Sequence, residues 1–299
     1  MNILVTGGAG YVGGAVTDLL KDTKHDVRVY DNLTFEDHYT KDVPFVFGDV
    51  RDYKKLQEQL DWADAVIWLA ALVGDGACSI DPELTKAINQ DAVKYLSENF
   101  TGRIVFPSTC SVYGAQDGLL SVASPTNPLS LYAATKLESE AYLHDKNAFI
   151  LRLGTLFGVG DNHSRIRLDL VVNTLTAKAC TEGKLTVFGG EQWRPLLHVK
   201  DAARVMVEAC TSEQTGIYNL SHRNIKISEL AELVRNTVPC EVEYQAMTFE
   251  DARNYKVSSE ILTRHSVEDG IEEIRRLFDE GRIKDPKNPR YNNYGYLSR

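Results

Sequence analysis

A phenol and an amine lie one helical turn apart in the stretch SLYAATKLESE at 130–140. Tyr132 and Lys136 are spaced i and i+4, so on a helix both side chains project from one face. A phenol normally titrates near about 10, and a neighbouring positive charge lowers its pKa by favouring the ionised form. The pair could therefore supply a general base for a hydroxyl group. Alone, this spacing is common and fits a solvated helical face as well.

A second polar stretch, STCSVYG at 108–114, follows the apolar run RIVFP. It brings hydroxyls and a thiol together where a buried strand is expected to end. Such groups could cap the strand, act as a nucleophile or handle a proton. We interpret Cys110 as a small buried residue at the end of the strand, in preference to a reactive thiol.

A glycine-rich turn, VTGGAGYVG at 5–13, joins the first predicted strand to the first predicted helix. Gly7, Gly10 and Gly13 form the pattern G-x-x-G-x-x-G, which lets the backbone approach a pyrophosphate at a helix N-terminus. Asp31 ends the second predicted strand, where a carboxylate accepts hydrogen bonds from a ribose diol and repels a 2′-phosphate. This arrangement favours NAD over NADP.

Predicted strands alternate with predicted helices in the first half of the chain. The strands are 2–7, 26–31, 44–49, 65–71, 103–108 and 147–154, and the helices are 11–22, 53–60 and 81–100. Later segments are helices at 167–183, 201–211, 227–238 and 266–282, and strands at 185–190 and 216–221. Apolar strands that alternate with helices indicate a parallel sheet covered on both faces. We therefore expect an α/β protein with a Rossmann-type doubly wound parallel sheet and a smaller mixed α/β C-terminal lobe.

Composition excludes several classes of protein. A formal net charge of −9 disfavours non-specific nucleic-acid binding, which needs a basic face. The five cysteines include no CxxC pair, which argues against a disulfide scaffold and for a reducing compartment. No apolar run reaches the roughly 18 residues that a membrane span needs. We expect a cytoplasmic protein that binds neither nucleic acid nor membrane.

Together these motifs resemble the extended short-chain dehydrogenase/reductase family, and within it the NAD-dependent nucleotide-sugar epimerases and dehydratases. The resemblance covers nearly the whole chain. It rests on the segments TGGAGYVG, DNL, GDVRD, LAA, STCSVYG, YAATK, LRLGTLFGVG, WRPLLHVKDAA and IYNLS. It implies NAD as cofactor, a nucleotide sugar as substrate and a homodimer formed through two helices of each subunit, here 81–100 and 131–144.

The resemblance also implies roles for single residues. Thr109 would hydrogen-bond the reacting sugar oxygen, Tyr132 would act as the base and Lys136 would hold the nicotinamide ribose. The implied cofactor contacts lie in the glycine turn, at strand ends and on the Tyr-Lys helix: Gly7, Gly10, Tyr11, Val12, Gly13, Asp31, Asn32, Asp49, Val50, Leu69, Ala70, Ala71, Tyr132 and Lys136.

The implied substrate contacts are Cys110, Ser111, Arg165, Asn173, Arg194 and Arg253, and no metal site is expected. Arg194 and Arg253 match arginines that contact the diphosphate in the family. For Asn173 and Arg253 an ordinary structural or surface role is equally supported, and Arg165 and Arg167 either line the sugar pocket or form a solvated loop. The expected division is an NAD-binding domain of 1–164 plus about 196–222, and a nucleotide-sugar-binding lobe of 165–195 and 223–299.

The residues after Thr109 bear on the choice of reaction. The 4,6-dehydratases that the chain resembles have an Asp–Glu pair there, where this chain has Cys110 and Ser111. A 3,5-epimerase subgroup has its catalytic cysteine at the position of Ser111. We therefore expect a 4-epimerase that acts through a transient 4-keto sugar, with Tyr132 as the base. The alternatives are a nucleotide-sugar C4 dehydrogenase or reductase, and a regulatory protein that binds NAD without chemistry.

Overall fold

The computed structural model describes residues 1–246 and 254–299, and the strands in these ranges form one large sheet and three small ones. The strands are β1 (Asn2–Thr6), β2 (Asp26–Asp31), β3 (Phe45–Phe47), β4 (Ala65–Trp68), β5 (Arg103–Thr109), β6 (Leu119–Leu120), β7 (Ala148–Leu153), β8 (Thr155–Phe157), β9 (Lys184–Phe188), β10 (Trp193–His198), β11 (Gly216–Leu220), β12 (Arg223–Lys226), β13 (Glu241–Gln245) and β14 (Lys256–Val257). The large sheet has the order β11-β7-β5-β4-β1-β2-β3, and its neighbouring strands are all parallel. This is the predicted Rossmann-type arrangement.

The helices connect these strands. They are α1 (Tyr11–Leu20), α2 (Tyr53–Leu60), α3 (Asp75–Ile80), α4 (Pro82–Lys86), α5 (Ala92–Asn99), α6 (Leu131–Leu143), α7 (Val171–Glu182), α8 (Val199–Ala209), α9 (Ile227–Thr237), α10 (Val267–Asp279) and α11 (Asn293–Leu297). A π-helical turn, Ala87–Asp91, joins α4 to α5 in the stretch predicted as one helix. None of the helices in the described ranges is long and apolar enough to cross a bilayer.

The large sheet is packed on both faces. Successive residues of a strand point to opposite faces, so Val5 packs with Val16 of α1 while Leu4 packs with Leu56 of α2 and Leu96 of α5. Because apolar residues lie on both sides, the strands β1, β4 and β5 contain the consecutive apolar residues ILV, AVIW and IVF. The prediction of a doubly wound sheet is confirmed.

A smaller mixed α/β part follows in the second half of the chain. Its three-stranded sheet has the order β12-β10-β8, in which β10 runs parallel to β8 and antiparallel to β12. The helices α7, α9 and α10 share an apolar cluster with this sheet and with β9. The exact division into two lobes at the predicted boundaries stays a prediction.

The helical stretch 82–99, from which the family resemblance predicts a dimer contact, packs against the large sheet. Ile88, Val93 and Leu96 are buried in the cluster on that face, and Leu84 packs against its edge. These side chains are therefore part of the core of the single chain. The predicted homodimer stays a prediction.

Candidate active site

A cavity of about 540 Å³ lies at the ends of the strands of the large sheet. Each residue that we predict as a cofactor contact lines it, as do Thr109, Ser111 and Arg165. Ligands of open α/β sheets bind outside the carboxyl ends of the strands. The cavity is therefore the candidate site, and it brings the glycine turn together with the Tyr-Lys pair.

The glycine turn has no room for side chains at two positions. Gly7 has a φ of +70°, and a Cβ on it would lie 2.6 Å from the Ala70 nitrogen. A Cβ on Gly13 would lie 2.5 Å from the Gly8 Cα. The turn thus packs directly on the loop after β4, and α1 begins at Tyr11 with its positive end at the cavity. This cradle fits the pyrophosphate of a dinucleotide.

The carboxylate of Asp31 organises the turn as well as lining the cavity. Its Oδ2 accepts a hydrogen bond from the Ala9 nitrogen at 3.0 Å, and its Oδ1 accepts one from the Leu33 nitrogen at 2.8 Å. Burial raises the pKa of Asp31, while these amide bonds act in the opposite direction. Each carboxylate oxygen has a second lone pair, so the same group can still accept from a ribose diol.

Asp49 lines the same side of the cavity in a polar setting. Arg51 donates to its Oδ1 and Oδ2 at 2.9 and 2.7 Å, and Asn32 Nδ2 donates to Oδ2 at 2.9 Å. The bonds from Arg51 contribute most to lowering the pKa of Asp49 to about 2. Asp49 is therefore held ionised, and its backbone carbonyl accepts from the Tyr30 hydroxyl at 2.8 Å.

Thr109 ends β5 and begins a 3₁₀ turn, Cys110–Tyr113. Its Oγ1 accepts a hydrogen bond from the Ser111 nitrogen at 3.1 Å. The hydroxyl hydrogen of Thr109 is therefore left to donate into the cavity.

Tyr132 and Lys136 lie on α6, whose N-terminus is capped by Ser130. Burial raises the pKa of Tyr132, and the positive charge of Arg167 acts in the opposite direction. Lys136 Nζ donates to the Pro107 carbonyl at 2.9 Å, and burial lowers its pKa to about 8. Before a ligand binds, both groups are thus biased towards their neutral forms.

A buried ion pair joins α6 to β7 beneath these residues. Arg152 Nη2 lies 2.7 Å from Glu140 Oε2, and the two side chains are only 5% and 3% exposed. Ser108 donates to Glu140, and Arg152 Nη1 donates to the Tyr113 hydroxyl at 3.0 Å. That hydroxyl donates to Asn219 on β11 at 2.7 Å. The network therefore ties the end of β5 to the helix that carries the Tyr-Lys pair.

Two predicted substrate contacts lie outside the cavity wall. Cys110 is 0% exposed, and its Sγ donates to the Arg152 carbonyl at 3.2 Å, because the chain turns inward after Thr109. Asn173 is also fully buried. Its Oδ1 accepts from the Gly158 nitrogen at 2.9 Å, and its Nδ2 donates to the carbonyls of Gly158 and Arg167. This placement agrees with the structural alternative for Asn173, because both polar atoms of its side-chain amide bond to backbone groups.

Of the two arginines predicted at the diphosphate, Arg194 lies in the described part of the chain, and it is not among the residues that line the cavity. Arg194 is buried in β10, where its Nη1 donates to the Trp193 carbonyl at 2.9 Å. Arg253 lies outside the described residues.

Several cavity residues were not predicted. They lie in the loop and helix after β4, in the segment after β8, directly before β14 and in the C-terminal tail, and they include Val73, Asp75, Asp169, Tyr255, Asn292, Asn293 and Tyr294. The only sequence signal for the tail was its run of amide and aromatic residues, RYNNYGYL. Its contribution depends on contacts between distant parts of the chain.

Comparison with known proteins identifies a matching family and relatives that are named as sugar-nucleotide epimerases. The model of the NAD dependent epimerase/dehydratase family matches residues 3–221. A UDP-glucose 4-epimerase of Corynebacterium glutamicum is 28% identical over 277 residues, which is 81% of this chain and 83% of the relative. A protein of Bacillus subtilis named uncharacterized UDP-glucose epimerase YtcB is 30% identical over 68% of this chain and 71% of its own length.

A solved structure shares the fold. The UDP-glucose 4-epimerase of Thermotoga maritima, solved with UDP-glucose, superposes with a TM-score of 0.81 at 21% identity. The match covers 94% of this chain and 99% of that chain.

The buried ion pair gives a prediction about stability. Glu140→Gln leaves the Arg152 guanidinium buried without a carboxylate, which we expect to cost about 3–5 kcal/mol of the free energy of unfolding. The control is Glu272→Gln, which breaks an exposed pair with Arg275 and should cost less than about 1 kcal/mol. Guanidinium chloride unfolding at pH 7 measures both. Equal midpoints for the two variants would show that the buried pair does not hold β5 and α6 together.

Proposed function

The chain belongs to the NAD-dependent epimerase/dehydratase family, and from this premise we propose that it is a nucleotide-sugar 4-epimerase acting through a transient 4-keto sugar. One observation carries the proposal: Thr109, Tyr132 and Lys136 line the same cavity as the glycine turn. A base, a hydroxyl donor and an amine are thus available where the cofactor is expected to bind. The net reaction, and the role of each residue, are our inference.

NAD is the cofactor of this family, and the residues present fit it. The tight turn at Gly7 and Gly13 would hold the pyrophosphate, Asp31 the adenosine ribose and Lys136 the nicotinamide ribose. When bound, NAD would supply a hydride acceptor for C4 of the sugar and, once reduced, a hydride donor for the opposite face of the ketone. Neither the sugar nor NAD would then be oxidised or reduced overall in one turnover.

The proton is handled by the chain itself. We infer that Tyr132 takes the proton of the C4 hydroxyl and later gives it back, while Thr109 donates a hydrogen bond to the same oxygen. Burial raises the pKa of Tyr132, so the phenolate needs positive charge nearby. Arg167 supplies one such charge. Lys136 would supply another in its ammonium form, which a pKa of about 8 leaves populated at pH 7.

The surroundings of Cys110 argue against a 4,6-dehydratase. Loss of the C6 hydroxyl needs a group that removes the C5 proton. Burial raises the pKa of the Cys110 thiol, whose Sγ donates to a backbone carbonyl away from the cavity. Ser111 does line the cavity, but a serine hydroxyl is too weak a base. The keto sugar should therefore persist at full mass until C4 is reduced again.

The lobes and the oligomer complete the proposal. We propose that residues 165–195 and 223–299 form the nucleotide-sugar-binding lobe, and that two copies of the chain form a dimer. The dimer rests on the family resemblance alone. A light-scattering mass near two chains at micromolar concentration is expected, and a mass near one chain would contradict it.

Product analysis tests the proposed reaction. Since the relative from Corynebacterium glutamicum carries the name UDP-glucose 4-epimerase, UDP-glucose heads a panel of UDP-, GDP-, dTDP- and CDP-sugars. NMR of at least one mixture should show the C4 epimer, and its mass should equal that of the substrate. A product lighter by one water would identify a dehydratase, and an isolated keto sugar would identify a C4 dehydrogenase.

Tyr132→Phe should lower turnover by about 10²–10⁴-fold, the usual contribution of a general acid–base group. Binding of NADH, followed by its fluorescence, should stay near the wild-type value. The matched control is Tyr142→Phe on the same helix, whose hydroxyl accepts from Gln90 at 3.3 Å. Wild-type turnover in Tyr132→Phe would exclude this residue as the base.

NADH should bind more tightly than NADPH. The reason is Asp31, whose carboxylate would repel a 2′-phosphate at the ribose. Denaturing the purified protein should also release NAD, because a cofactor that is regenerated in each turnover has no need to leave. Tighter binding of NADPH than NADH in a fluorescence titration would refute the role given to Asp31.

A further inference from the structure

Two arginines lie side by side in the wall of the cavity. Arg165 and Arg167 are 6% and 9% exposed, and both line the cavity. Burial, and after it the charge of Arg167, lower the pKa of Arg165 to about 10. Asp169 and Glu36 offset part of the repulsion between the two guanidinium groups, and an anion in the cavity would offset more of it.

Arg167 is only partly paired. Its Nε and Nη2 donate to Asp169 at 2.9 and 3.0 Å. Within residues 1–246 and 254–299, its Nη1 has no hydrogen-bond partner. A guanidinium offers its donors in a planar fork that suits phosphate oxygens. The remaining edge is thus available to an anion in the cavity.

A chain of hydrogen bonds ties Arg167 to the start of α1. The Tyr11 hydroxyl donates to the Gly158 carbonyl at 2.8 Å. Asn173 Nδ2 donates to the same carbonyl at 3.2 Å and to the Arg167 carbonyl at 2.8 Å. The backbone of Arg167 is therefore held near the helix end that belongs to the glycine turn.

The C-terminal tail fixes the arginines from the other side. The Asn293 nitrogen donates to Asp169 Oδ2 at 2.9 Å, and Asn293 Nδ2 donates to the Val73 carbonyl at 2.9 Å. Asn293 Oδ1 accepts from Arg165 Nη2, and Arg165 Nη1 donates to the Arg290 carbonyl at 2.7 Å. Asn293 thus connects the loop after β4 to the segment that carries both guanidinium groups.

We propose that Arg167, positioned by Arg165 and Asn293, completes a diphosphate-binding site in the cavity of the glycine turn. The diphosphate could be that of the dinucleotide or that of a nucleotide sugar, and the second source rests on the proposed function. The hydrogen bonds that run from Tyr11 through Gly158 and Asn173 hold Arg167 near the glycine turn, which favours the dinucleotide as the source of the diphosphate. Asn293 is then a positioning residue, and the tail helps to retain the ligand.

Calorimetry on the full chain, freed of cofactor, tests the site with four probes: NADH, ADP, UDP and UMP. Arg167→Met should weaken binding of a diphosphate by about 10- to 100-fold, the range of one charge-assisted contact. Equal losses for NADH and ADP assign the site to the cofactor. A loss for UDP that exceeds the loss for UMP assigns it to the nucleotide sugar.

The matched control is Arg103→Met. Arg103 is 4% exposed and donates to backbone carbonyls at the opposite end of β5, away from the cavity. Affinities of Arg167→Met within about twofold of this control for all probes would overturn the proposal. A loss for NADH with unchanged ADP would also overturn it, because Arg167 would then contact the nicotinamide side.

A second variant keeps the test decisive if Arg167→Met does not fold. Asn293→Ala leaves both guanidinium groups and removes the side-chain bonds to Arg165 and Val73. We expect a smaller loss, of about 2- to 10-fold, for the same diphosphate probe. Unchanged affinity in a folded Asn293→Ala would overturn the positioning role. Because these experiments measure binding, they test the diphosphate site separately from the proposed epimerisation, and one proposal can fail while the other stands.

Discussion

The buried ion pair of Glu140 and Arg152 is the contact on which the geometry of the site depends. Thr109 lies at the end of β5, whereas Tyr132 and Lys136 lie on α6, so their distance is set by how strand and helix pack. Ser108 of β5 and Arg152 of β7 both bond to Glu140 of α6. A buried charge pair is tolerated only when its remaining donors and acceptors are satisfied, and here Ser108 and Tyr113 satisfy them.

The charge states of Tyr132 and Lys136 depend on the charges that lie near them in the cavity. Burial raises the pKa of Tyr132 and lowers that of Lys136 to about 8, so both groups lean towards neutrality. Positive charge brought into the cavity would favour the phenolate of Tyr132, and negative charge would favour the ammonium of Lys136. On our proposals, the positive charge of an oxidised nicotinamide ring would add to that of Arg167 in favouring the phenolate of Tyr132.

The sequence predicts the large sheet well because its strands are buried on both faces. Each of the runs that became β1, β4, β5 and β7 contains at least three consecutive apolar residues, namely ILV, AVIW, IVF and AFIL. It does not predict β8 or α11. The strand β8 is three residues long and depends on pairing with β10. The helix α11 is five residues long and depends on contacts of Asn293 with Val73, Arg165 and Asp169.

The residues of the site also divide into those that local spacing predicts and those that distant contacts place. The residues of the glycine turn and the Tyr-Lys pair were predictable because local spacing determines which way they face. The burial of Cys110 agrees with its interpretation as a small residue at the end of the strand. The direction of Asn173 and Arg194 was not predictable, since each is set by a partner that lies elsewhere in the sequence or in the sheet. Arg167 is held in the cavity wall by hydrogen bonds with Asn173 and Asp169, and the spacing of these residues in the sequence does not predict the bonds.

The most direct measurement follows the hydrogen on C4 of the sugar. A nucleotide sugar that the protein converts is prepared with deuterium at C4, and its product is examined by NMR and mass spectrometry. Full retention of deuterium at C4, with the opposite configuration and unchanged mass, is the predicted result, because only the hydroxyl proton passes through Tyr132. Washout of the deuterium into water, or loss of one water from the product, would contradict epimerisation at C4 within this cavity.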